Sequence, residues 1–286
     1  MEPVKIAVVG TVRNVSRQLE KEIKVLKQAL EPIGDVAFFV VESDSLDATK
    51  RTLDLLVEKY KNFTYKSLGD LEPSIPDRIE RLIFCRNVYV QEIRKSKHLS
   101  QSDFVIVVDL DGINKKLKAE SVKLSLSRKE NWDVICANQT RKYYDLLALR
   151  HKFWCPQNVF DEYYWLRGVL TWKKAKKYTI YNKMIRIPRE YGLISVDSAF
   201  GGFAIYKTRH FMFHDYTRLP RDSHSDIDHV IFNRRIIESG GNIFIDSQLI
   251  NAHWTKHSLS SFPMFRGLAN FKKRLMRYFG STRKLR

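Results

Sequence analysis

The chain has 286 residues, which suits one large α/β domain or two small ones with a sizeable core. Its hydrophobic content of 44% excludes an intrinsically disordered protein. Lys and Arg number 50 against 32 Asp and Glu, and the resulting formal net charge of +18 indicates an anionic partner such as nucleic acid, anionic lipid or a phosphorylated ligand.

The three cysteines are Cys85, Cys136 and Cys155, and they lack the spacing of metal ligands. Cys85 and Cys136 lie in apolar runs, so we expect buried thiols in a reducing compartment. No N-terminal signal peptide is visible, and no apolar stretch approaches the roughly 18 residues that span a bilayer. The sequence therefore predicts a cytoplasmic protein, and a peripheral position on the cytoplasmic face of a membrane stays open.

Short apolar strands alternate with helical patterns in the first half of the chain. Strands are predicted at residues 5–10, 36–41, 63–68, 104–108 and 133–137, and helices at 15–30, 45–60, 77–97 and 115–129. Ser45 or Asp47 is the expected cap of the second helix. The alternation predicts a mainly parallel sheet flanked by helices. No G-x-G-x-x-G motif follows a strand, which argues against a dinucleotide-binding enzyme.

Residues 138–189 change character, because they are dense in aromatic and basic residues and have poor periodicity. We expect a long insertion, irregular or short-helical, whose aromatic faces either bind sugars or bases or form a small satellite core. Beyond it, 203–206 and 242–246 predict strands, and 225–239 predict an amphipathic helix. Residues 267–286 have the pattern of a basic amphipathic helix, which would either bind an anionic membrane surface or form a solvated or core-docked terminal helix.

Two carboxylates, Asp109 and Asp111, directly follow the apolar run Phe104–Val108. This is the carboxyl end of a buried strand, where open α/β sheets place their ligands. Such a pair repels itself unless a cation lies nearby, and Mg²⁺ or Mn²⁺ prefers carboxylate and phosphate oxygens. The pattern predicts a site for a metal and a diphosphate, and the alternative is an ordinary acidic turn after a strand.

Four places in the chain resemble the GT-A class of nucleotide-sugar glycosyltransferases. They read KIAVVGTVRN, VVESDSLDAT, VVDLDG, and the pair GGFAIYK with SDIDHVIFNRRIIESGGNIFID. A further segment, YYDLLALR, resembles one in fungal capsule-associated mannosyltransferases and their bacterial relatives. The similarity covers roughly residues 5–257. It implies a GT-A domain at 1–261, with a nucleotide-sugar-binding half at 1–137, an acceptor-binding half at 138–261 and a basic amphipathic tail at 262–286.

The resemblance also implies an activity and the residues that carry it. The enzyme would use Mn²⁺ or Mg²⁺ to move a hexose from a UDP- or GDP-sugar to a glycan or lipid-linked acceptor of the surface-polysaccharide or lipopolysaccharide type. The donor would be bound by Val9, Gly10, Thr11, Arg13, Glu42, Asp44, Arg86, Asp109, Leu110 and Asp111. The acceptor would be bound by Tyr144, Asp145, Arg150, Gly201 and Gly202.

The metal ligands and the base follow from the same resemblance. Asp111, Asp109 and His253 would hold the metal, and His257 lies close enough in sequence to compete with His253. Asp228 would be the catalytic base, with Asp226 as the second choice. The structural alternatives are a histidine without a ligand role, a solvated pair of carboxylates at a helix N-terminus, and an ion pair between Asp145 and Arg150.

Two other functions compete with sugar transfer. VVDLDG also resembles the nucleophile loop of haloacid-dehalogenase-type phosphatases, in which Asp109 would be phosphorylated. The motif lies after residue 100, however, Ile113 and Asn114 replace the expected Thr, and the later Gly-Asp element is missing. A basic nucleic-acid-binding protein would account for the charge but not for the two carboxylates, and no known nucleic-acid motif is visible, so no nucleic acid partner is expected.

Overall fold

The computed structural model describes residues 3–220, 222–223, 225–255 and 258. Within them, eight strands form one sheet with the order β3-β2-β1-β4-β7-β5-β8-β6. The strands are β1 (Val4–Val12), β2 (Gly34–Glu42), β3 (Phe63–Ser67), β4 (Phe104–Val108), β5 (Val134–Gln139), β6 (Leu193–Val196), β7 (Phe203–Lys207) and β8 (Ile243–Ala252).

Most neighbouring strands in this sheet are parallel. β1 pairs in parallel with β2 and β4, β2 with β3, and β5 with β8. β7 lies antiparallel between β4 and β5, and β6 is antiparallel to β8 at the edge. The predicted α/β class with a mainly parallel sheet is therefore confirmed. β6 was not predicted, because four residues with a half-exposed pattern carry too little periodicity to mark a strand.

Helices cover both faces of the sheet, as predicted. They are α1 (Ser16–Leu30), α2 (Thr49–Lys59), α3 (Arg78–Lys95), α4 (Lys97–Ser100), α5 (Ala119–Leu126), α6 (Val159–Leu166), α7 (Trp172–Lys176), α8 (Arg209–Phe213) and α9 (Asp228–Glu238). Alternate side chains of β1 enter opposite cores: Ile6 and Val8 pack with α1 and α2, whereas Ala7 and Val9 pack with α3 and α9. Burial on both faces explains why the strands read as continuous apolar runs.

Several helix boundaries differ from the predicted ones. α5 is shorter than the predicted 115–129, and α3 ends at Lys95 before a separate short helix. Asp47, one of the two predicted caps of α2, accepts a hydrogen bond from the amide of Thr49 at the start of the helix at 3.0 Å, although Ala48 directly precedes the helix. Asp47 also accepts hydrogen bonds from Ser16 and so joins two loops. The predicted tail helix at 267–286 and His257 lie outside the described residues.

The insertion predicted at 138–189 begins after β5 ends at Gln139, is short-helical, and has an inner and an outer side. α6 and α7 are followed by one π-helical turn, Lys177–Tyr181, and a 3-10 turn, Arg189–Tyr191. Tyr143 and Tyr181 are buried in the core beneath it, whereas Trp165 and Trp172 are exposed. Among the described residues, no helix is long and apolar enough to cross a bilayer. Cys85 and Cys136 are buried, as expected.

Asp133 lies directly before β5, at the amino-terminal end of that strand, and its carboxylate joins three segments of the chain. Its carboxylate accepts hydrogen bonds from His210 Nε2 at 2.9 Å, from the Asn242 amide at 3.0 Å and from Arg209. Burial acts to raise the pKa of Asp133, but these hydrogen bonds outweigh it and the net shift is downward. Burial also lowers the pKa of His210, despite the opposing effect of Asp133. Both groups therefore stabilise the fold less as the pH falls.

We expect Asp133→Asn to lower the free energy of unfolding by about 2 kcal/mol near pH 7, since it weakens three hydrogen bonds to a buried carboxylate. A carboxyl whose folded-state pKa lies below the unfolded value of 3.8 loses its contribution as the pH falls through that range. The variant should therefore lose less stability than the wild type between about pH 5 and pH 3. Urea unfolding across this range, with the exposed Asp35→Asn as the control, measures the difference, and parallel pH curves would contradict the assignment.

Candidate functional site

The carboxyl ends of β1, β2 and β4 meet at one edge of the sheet because the three strands are parallel. Asn14 holds the first two loops together: its Oδ1 accepts from the amides of Leu46 at 2.7 Å and Asp47 at 3.3 Å. Asn14 has a φ of 54°, in the left-handed region that Asn tolerates better than most residues. This link fixes the position of the residues on either side of it.

These loops form one wall of a cleft of about 520 Å³, here called the carboxylate cleft. Its other walls come from the first half of α3, the turn after β4, the insertion, the segment before β7 and the start of α9. The predicted site residues that line it are Thr11, Arg13, Asp44, Arg86, Asp109, Leu110, Asp111, Tyr144, Asp145 and Asp228. Residues separated by more than 200 positions in the chain are thus brought to one cavity.

A second cleft of about 440 Å³ adjoins the first. Asp109, Asp111 and Tyr144 line both, so the two carboxylates lie at the boundary between the clefts. The second cleft adds Lys115 and His253 to its lining. A ligand that crosses this boundary would contact both carboxylates.

The turn that carries Asp109 and Asp111 is held by a buried polar network. The Asn114 side chain donates to Glu22 Oε1 at 2.7 Å and to the Asp109 carbonyl at 2.9 Å. The Asn251 side chain donates to Asn114 Oδ1 at 3.0 Å and to the Gly201 carbonyl at 2.8 Å. The network ties the turn to α1, to β8 and to the segment before β7. Sequence reasoning gave Asn114 and Asn251 no role, because such contacts over about 90 to 140 positions leave no local pattern.

The carboxylate cleft concentrates negative charge around Asp109. Burial raises the pKa of Asp109 to about 7, and the charges of Asp111, Asp145 and Asp228 act in the same direction against Arg86. A divalent cation would relieve this repulsion, and hard cations are commonly held by one or two carboxylates together with phosphate oxygens. Asp109 and Asp111 fit such a site. The described residues contain no group of three His, Cys, Asp or Glu side chains arranged to hold a metal.

His253 is near this boundary but has protein partners of its own. Its Nδ1 lies 2.6 Å from Thr140 Oγ1, and Arg141 Nε donates to its Nε2 at 3.4 Å. A ligand role would require the weaker of these contacts to break. Coordination by His253 stays a prediction.

Asp228 forms a buried ion pair with Arg86, 142 positions away in the chain. Arg86 also donates to Tyr89 Oη at 3.1 Å, and its guanidinium lies over the rings of Phe200 and Tyr216. Burial acts to raise the pKa of Asp228, but the charge of Arg86 outweighs it and the net shift is downward. Asp228 is therefore ionised at neutral pH and fixed in the wall of the cleft.

Asp226 has a different environment from Asp228, although only one residue separates them. It accepts a hydrogen bond from Arg150 Nη2 at 2.8 Å and another from Arg234. Arg150 is committed further to the carbonyls of Leu147 and Leu149. Arg150 of the insertion thus forms an ion pair with Asp226.

Asp145 and the two glycines form a compact unit beside the cleft. Asp145 Oδ2 accepts from the Gly201 amide at 3.0 Å. Gly201 and Gly202 have φ values of 70° and 84°, and a Cβ on Gly201 would lie 2.5 Å from the Ala137 carbonyl. Close approach of the chain to itself, rather than to a ligand, is therefore sufficient to require glycine at this turn.

Three predicted donor ligands lie behind the cleft surface. Val9 is fully buried in the core, and a Cβ on Gly10 would lie 2.7 Å from the Val108 carbonyl. Glu42 is buried and accepts hydrogen bonds from the Ser45 amide and Ser67 Oγ. None of the three is among the residues that line the carboxylate cleft. Their contact with a ligand stays a prediction.

His229 is a cleft residue to which sequence reasoning gave no role. It stacks on Phe200 with ring centroids 3.7 Å apart, and neither ring nitrogen has a hydrogen-bond partner among the described residues. Burial, with the charge of Arg86, lowers its pKa to about 3, so the imidazole is neutral. The sequence signal was the Asp-His pair at the start of a predicted helix.

Removing one partner of the Arg86–Asp228 pair should cost about 3–5 kcal/mol, because the other charge is left buried and unpaired. We expect Arg86→Met and Asp228→Asn each to lower the free energy of unfolding, with the double variant closer to the wild type than the sum of the single changes. Denaturant unfolding of the four proteins gives the coupling energy. Additive effects would show that the pair contributes no interaction of its own.

The similarity of this chain to known proteins is distant. No protein-family model and no curated protein matches the sequence. A solved mannosyltransferase from Pyrobaculum calidifontis, in complex with GDP-Man and Mn²⁺, is 13% identical with a TM-score of 0.46 over 86% of this chain and 57% of that one. TarS 1–349 of S. aureus with UDP-GlcNAc is 16% identical, with a TM-score of 0.48 over 91% and 62%.

A third solved structure is glucosyl-3-phosphoglycerate synthase from Mycobacterium tuberculosis with Mn²⁺, uridine diphosphate and phosphoglyceric acid. It is 12% identical with a TM-score of 0.43, over 88% of this chain and 72% of that one. The chain spans less than two thirds of the length of the mannosyltransferase and of TarS 1–349. At these identities and TM-scores the similarity is limited to the backbone.

Proposed function

We propose that this protein is a metal-dependent GT-A glycosyltransferase that moves a hexose from a UDP- or GDP-sugar to a glycan or lipid-linked acceptor. The observation that carries the proposal is the meeting of Asp109 and Asp111 with Asp228 in one cleft. Sugar transfer with inversion needs a site for the departing diphosphate and a carboxylate beside the acceptor hydroxyl, and the carboxylates of this cleft are suited to both roles. We infer a role in surface-polysaccharide or lipopolysaccharide synthesis, at the cytoplasmic face of a membrane.

The donor would enter with its nucleoside toward the ends of β1 and β2. Thr11, Arg13 and Asp44 line that part of the cleft, which is where the sequence resemblance assigns the base and ribose. Asp44 is held in a fixed orientation because its Oδ1 accepts from the amides of Leu71 and Glu72, each at 2.8 Å. A carboxylate that is already positioned can accept from a ribose or base without losing further conformational entropy.

The diphosphate would lie at the boundary formed by Asp109 and Asp111. A bound Mn²⁺ or Mg²⁺ supplies Lewis-acid stabilisation of the departing diphosphate. The protein contributes two carboxylates whose mutual repulsion favours a cation, and a turn held by Asn114 that keeps them in place. Lys115, in the adjoining cleft, would add positive charge near the phosphates, whereas Arg13 is already paired with Glu72 at 2.8 Å.

Asp228 would accept the proton of the acceptor hydroxyl as the new glycosidic bond forms. Its carboxylate is ionised, lines the cleft and is held by Arg86. The charge of Arg86 also makes Asp228 a weaker base. The acceptor hydroxyl must therefore lie within hydrogen-bond distance of Asp228 for proton transfer to be effective. This role applies to transfer with inversion at the sugar carbon.

The donor site can be tested with Asp111→Asn, since removal of one charge weakens a site for a divalent cation. Wild-type protein with saturating UDP- or GDP-sugar and Mn²⁺ should gain about 5 °C in Tm, and the variant should lose that gain while keeping its basal Tm. Thermal unfolding with and without Mn²⁺ is the measurement, with Asp35→Asn as the matched control. Unchanged stabilisation would contradict the assignment of Asp111, whereas hydrolysis of simple phosphate esters through a phosphorylated Asp109 would favour the phosphatase.

The base can be tested with Asp228→Asn, which keeps an acceptor for the Arg86 hydrogen bond but cannot take a proton. Transfer per folded molecule should fall by about 10²- to 10⁴-fold with the affinity for donor unchanged, so the folded fraction is measured alongside the rate. Asp226→Asn is the matched comparison, because Asp226 already accepts from two arginines and should retain transfer per folded molecule. The reverse result would move the role of base to Asp226.

A further inference from the structure

The hairpin formed by α6, α7 and the turn between them exposes large apolar side chains. Trp165 is 73% exposed, Val169 70% and Trp172 55%, and all three lie within eight consecutive residues at the turn. Tyr164, one residue earlier, is 64% exposed. Soluble surfaces carry scattered apolar residues, but a group of this size in one short segment marks an interaction site.

The hairpin is attached firmly to the rest of the fold on its inner side. Val159 of α6 and Ala175 of α7 are buried, and Lys183 forms a salt bridge with Glu162. The helix pair is therefore packed against the core on its inner side. Its exposed aromatic residues lie on the outer side.

The same segment is strongly basic. Residues 163–181 contain five Lys or Arg and no Asp or Glu. Arg167, Lys173, Lys174 and Lys177 are exposed, and none forms a salt bridge within the part of the chain that the structure describes. Lys173 lies 5.6 Å above the Trp172 ring, so positive and aromatic groups share one surface.

We propose that the α6–α7 hairpin docks the protein onto an anionic lipid bilayer. Trp165, Val169 and Trp172 enter the interface, where tryptophan is favoured because it has both an apolar ring and a polar N–H. Lys173 and Lys174 contact the lipid phosphates. Each basic residue near an anionic leaflet strengthens binding roughly fivefold, and burial of the apolar side chains adds to this.

A lipid surface fits the geometry better than a sugar chain does. Sugar-binding sites are concave and combine an aromatic face with fixed polar groups. Trp165, Val169 and Trp172 line none of the clefts described above, and they surround an exposed turn. The proposal rests neither on the proposed sugar transfer nor on residues 262–286, because the readouts below measure binding to vesicles by the hairpin itself.

Quenching by brominated phosphatidylcholine in vesicles that also contain phosphatidylglycerol reports which tryptophans reach the bilayer. The chain has five, of which Trp132 is buried and Trp154 half-buried. We expect strong quenching of the full-length wild type and loss of most of it in Trp165→Phe/Trp172→Phe. Quenching that survives the double change would place another part of the chain in the bilayer and overturn the proposal.

Charge reversal tests the lipid phosphates. Full-length Lys173→Glu/Lys174→Glu should bind phosphatidylglycerol-containing vesicles at least about 25-fold more weakly than the wild type, and pure phosphatidylcholine vesicles should bind neither. The matched control is Lys50→Glu/Arg51→Glu, on the exposed side of α2, which should weaken binding by less than about threefold because screening limits charges away from the bilayer.

Apolar contact is tested with Trp165→Ala/Trp172→Ala against Phe213→Ala, a phenylalanine that is 81% exposed on α8. The tryptophan variant should lose vesicle binding, whereas the phenylalanine variant should keep it. Equal losses in the two charge variants, or wild-type vesicle binding by the tryptophan variant, would refute docking through this hairpin. If the tryptophan variant bound vesicles as the wild type does but was retained less by an immobilised oligosaccharide, the hairpin would be a glycan-binding surface instead.

Discussion

The site depends on the buried hydrogen bonds that hold the turn after β4. Asn114 is fully buried and bonds to Glu22 and to the Asp109 carbonyl, and Asn251 completes the connection to the segment before β7. Buried polar groups are costly when unpaired and rigid when fully paired. The directions of Asp109 and Asp111 therefore follow from contacts beneath the cleft. On the opposite wall, Asp145 accepts a hydrogen bond from the Gly201 amide and so helps to fix the segment before β7.

The positions of the charged residues show where the positive charge of the protein lies, which its net charge does not. A net charge of +18 indicates an anionic partner, but the residues around Asp109 are mostly acidic, and Arg86, Arg150 and Arg234 are engaged by Asp226 and Asp228. Cations without an ion pair in the described residues include those of the α6–α7 hairpin. Part of the positive charge is therefore neutralised by ion pairs with buried carboxylates, and part lies on a surface outside the cleft. The net charge of the chain does not distinguish these two groups of residues.

The parts of the fold that the sequence predicts are those with local periodicity. The buried strands, the helices on both faces and the position of Asp109 and Asp111 at a strand end all follow from patterns within about ten to twenty residues. The antiparallel insertion of β7 between β4 and β5, and the edge strand β6, do not, because strand order depends on pairings between distant segments.

The same limit applies to the site residues. Asp228 was placed in the cleft by resemblance, yet its partner Arg86 is 142 positions away and could not be paired with it from sequence. Gly201 and Gly202 were assigned to a ligand, whereas in the structure the chain itself occupies the space beside them. Sequence patterns identify residue types suited to chemistry. Packing decides which of them face the cavity.

The Arg86–Asp228 pair is the strongest structural argument that the cleft has a chemical role. Buried ion pairs are often no more stabilising than apolar residues of the same volume, because desolvation offsets the attraction. The surroundings of this pair are largely apolar or aromatic, with Phe200 and Tyr216 against the guanidinium, so an apolar pair could fill the same space. Stability is therefore not by itself a sufficient reason for a carboxylate here. An ionised Asp228 held by Arg86 in the wall of the cleft that also contains Asp109 and Asp111 is the arrangement that the proposed deprotonation of the acceptor would use.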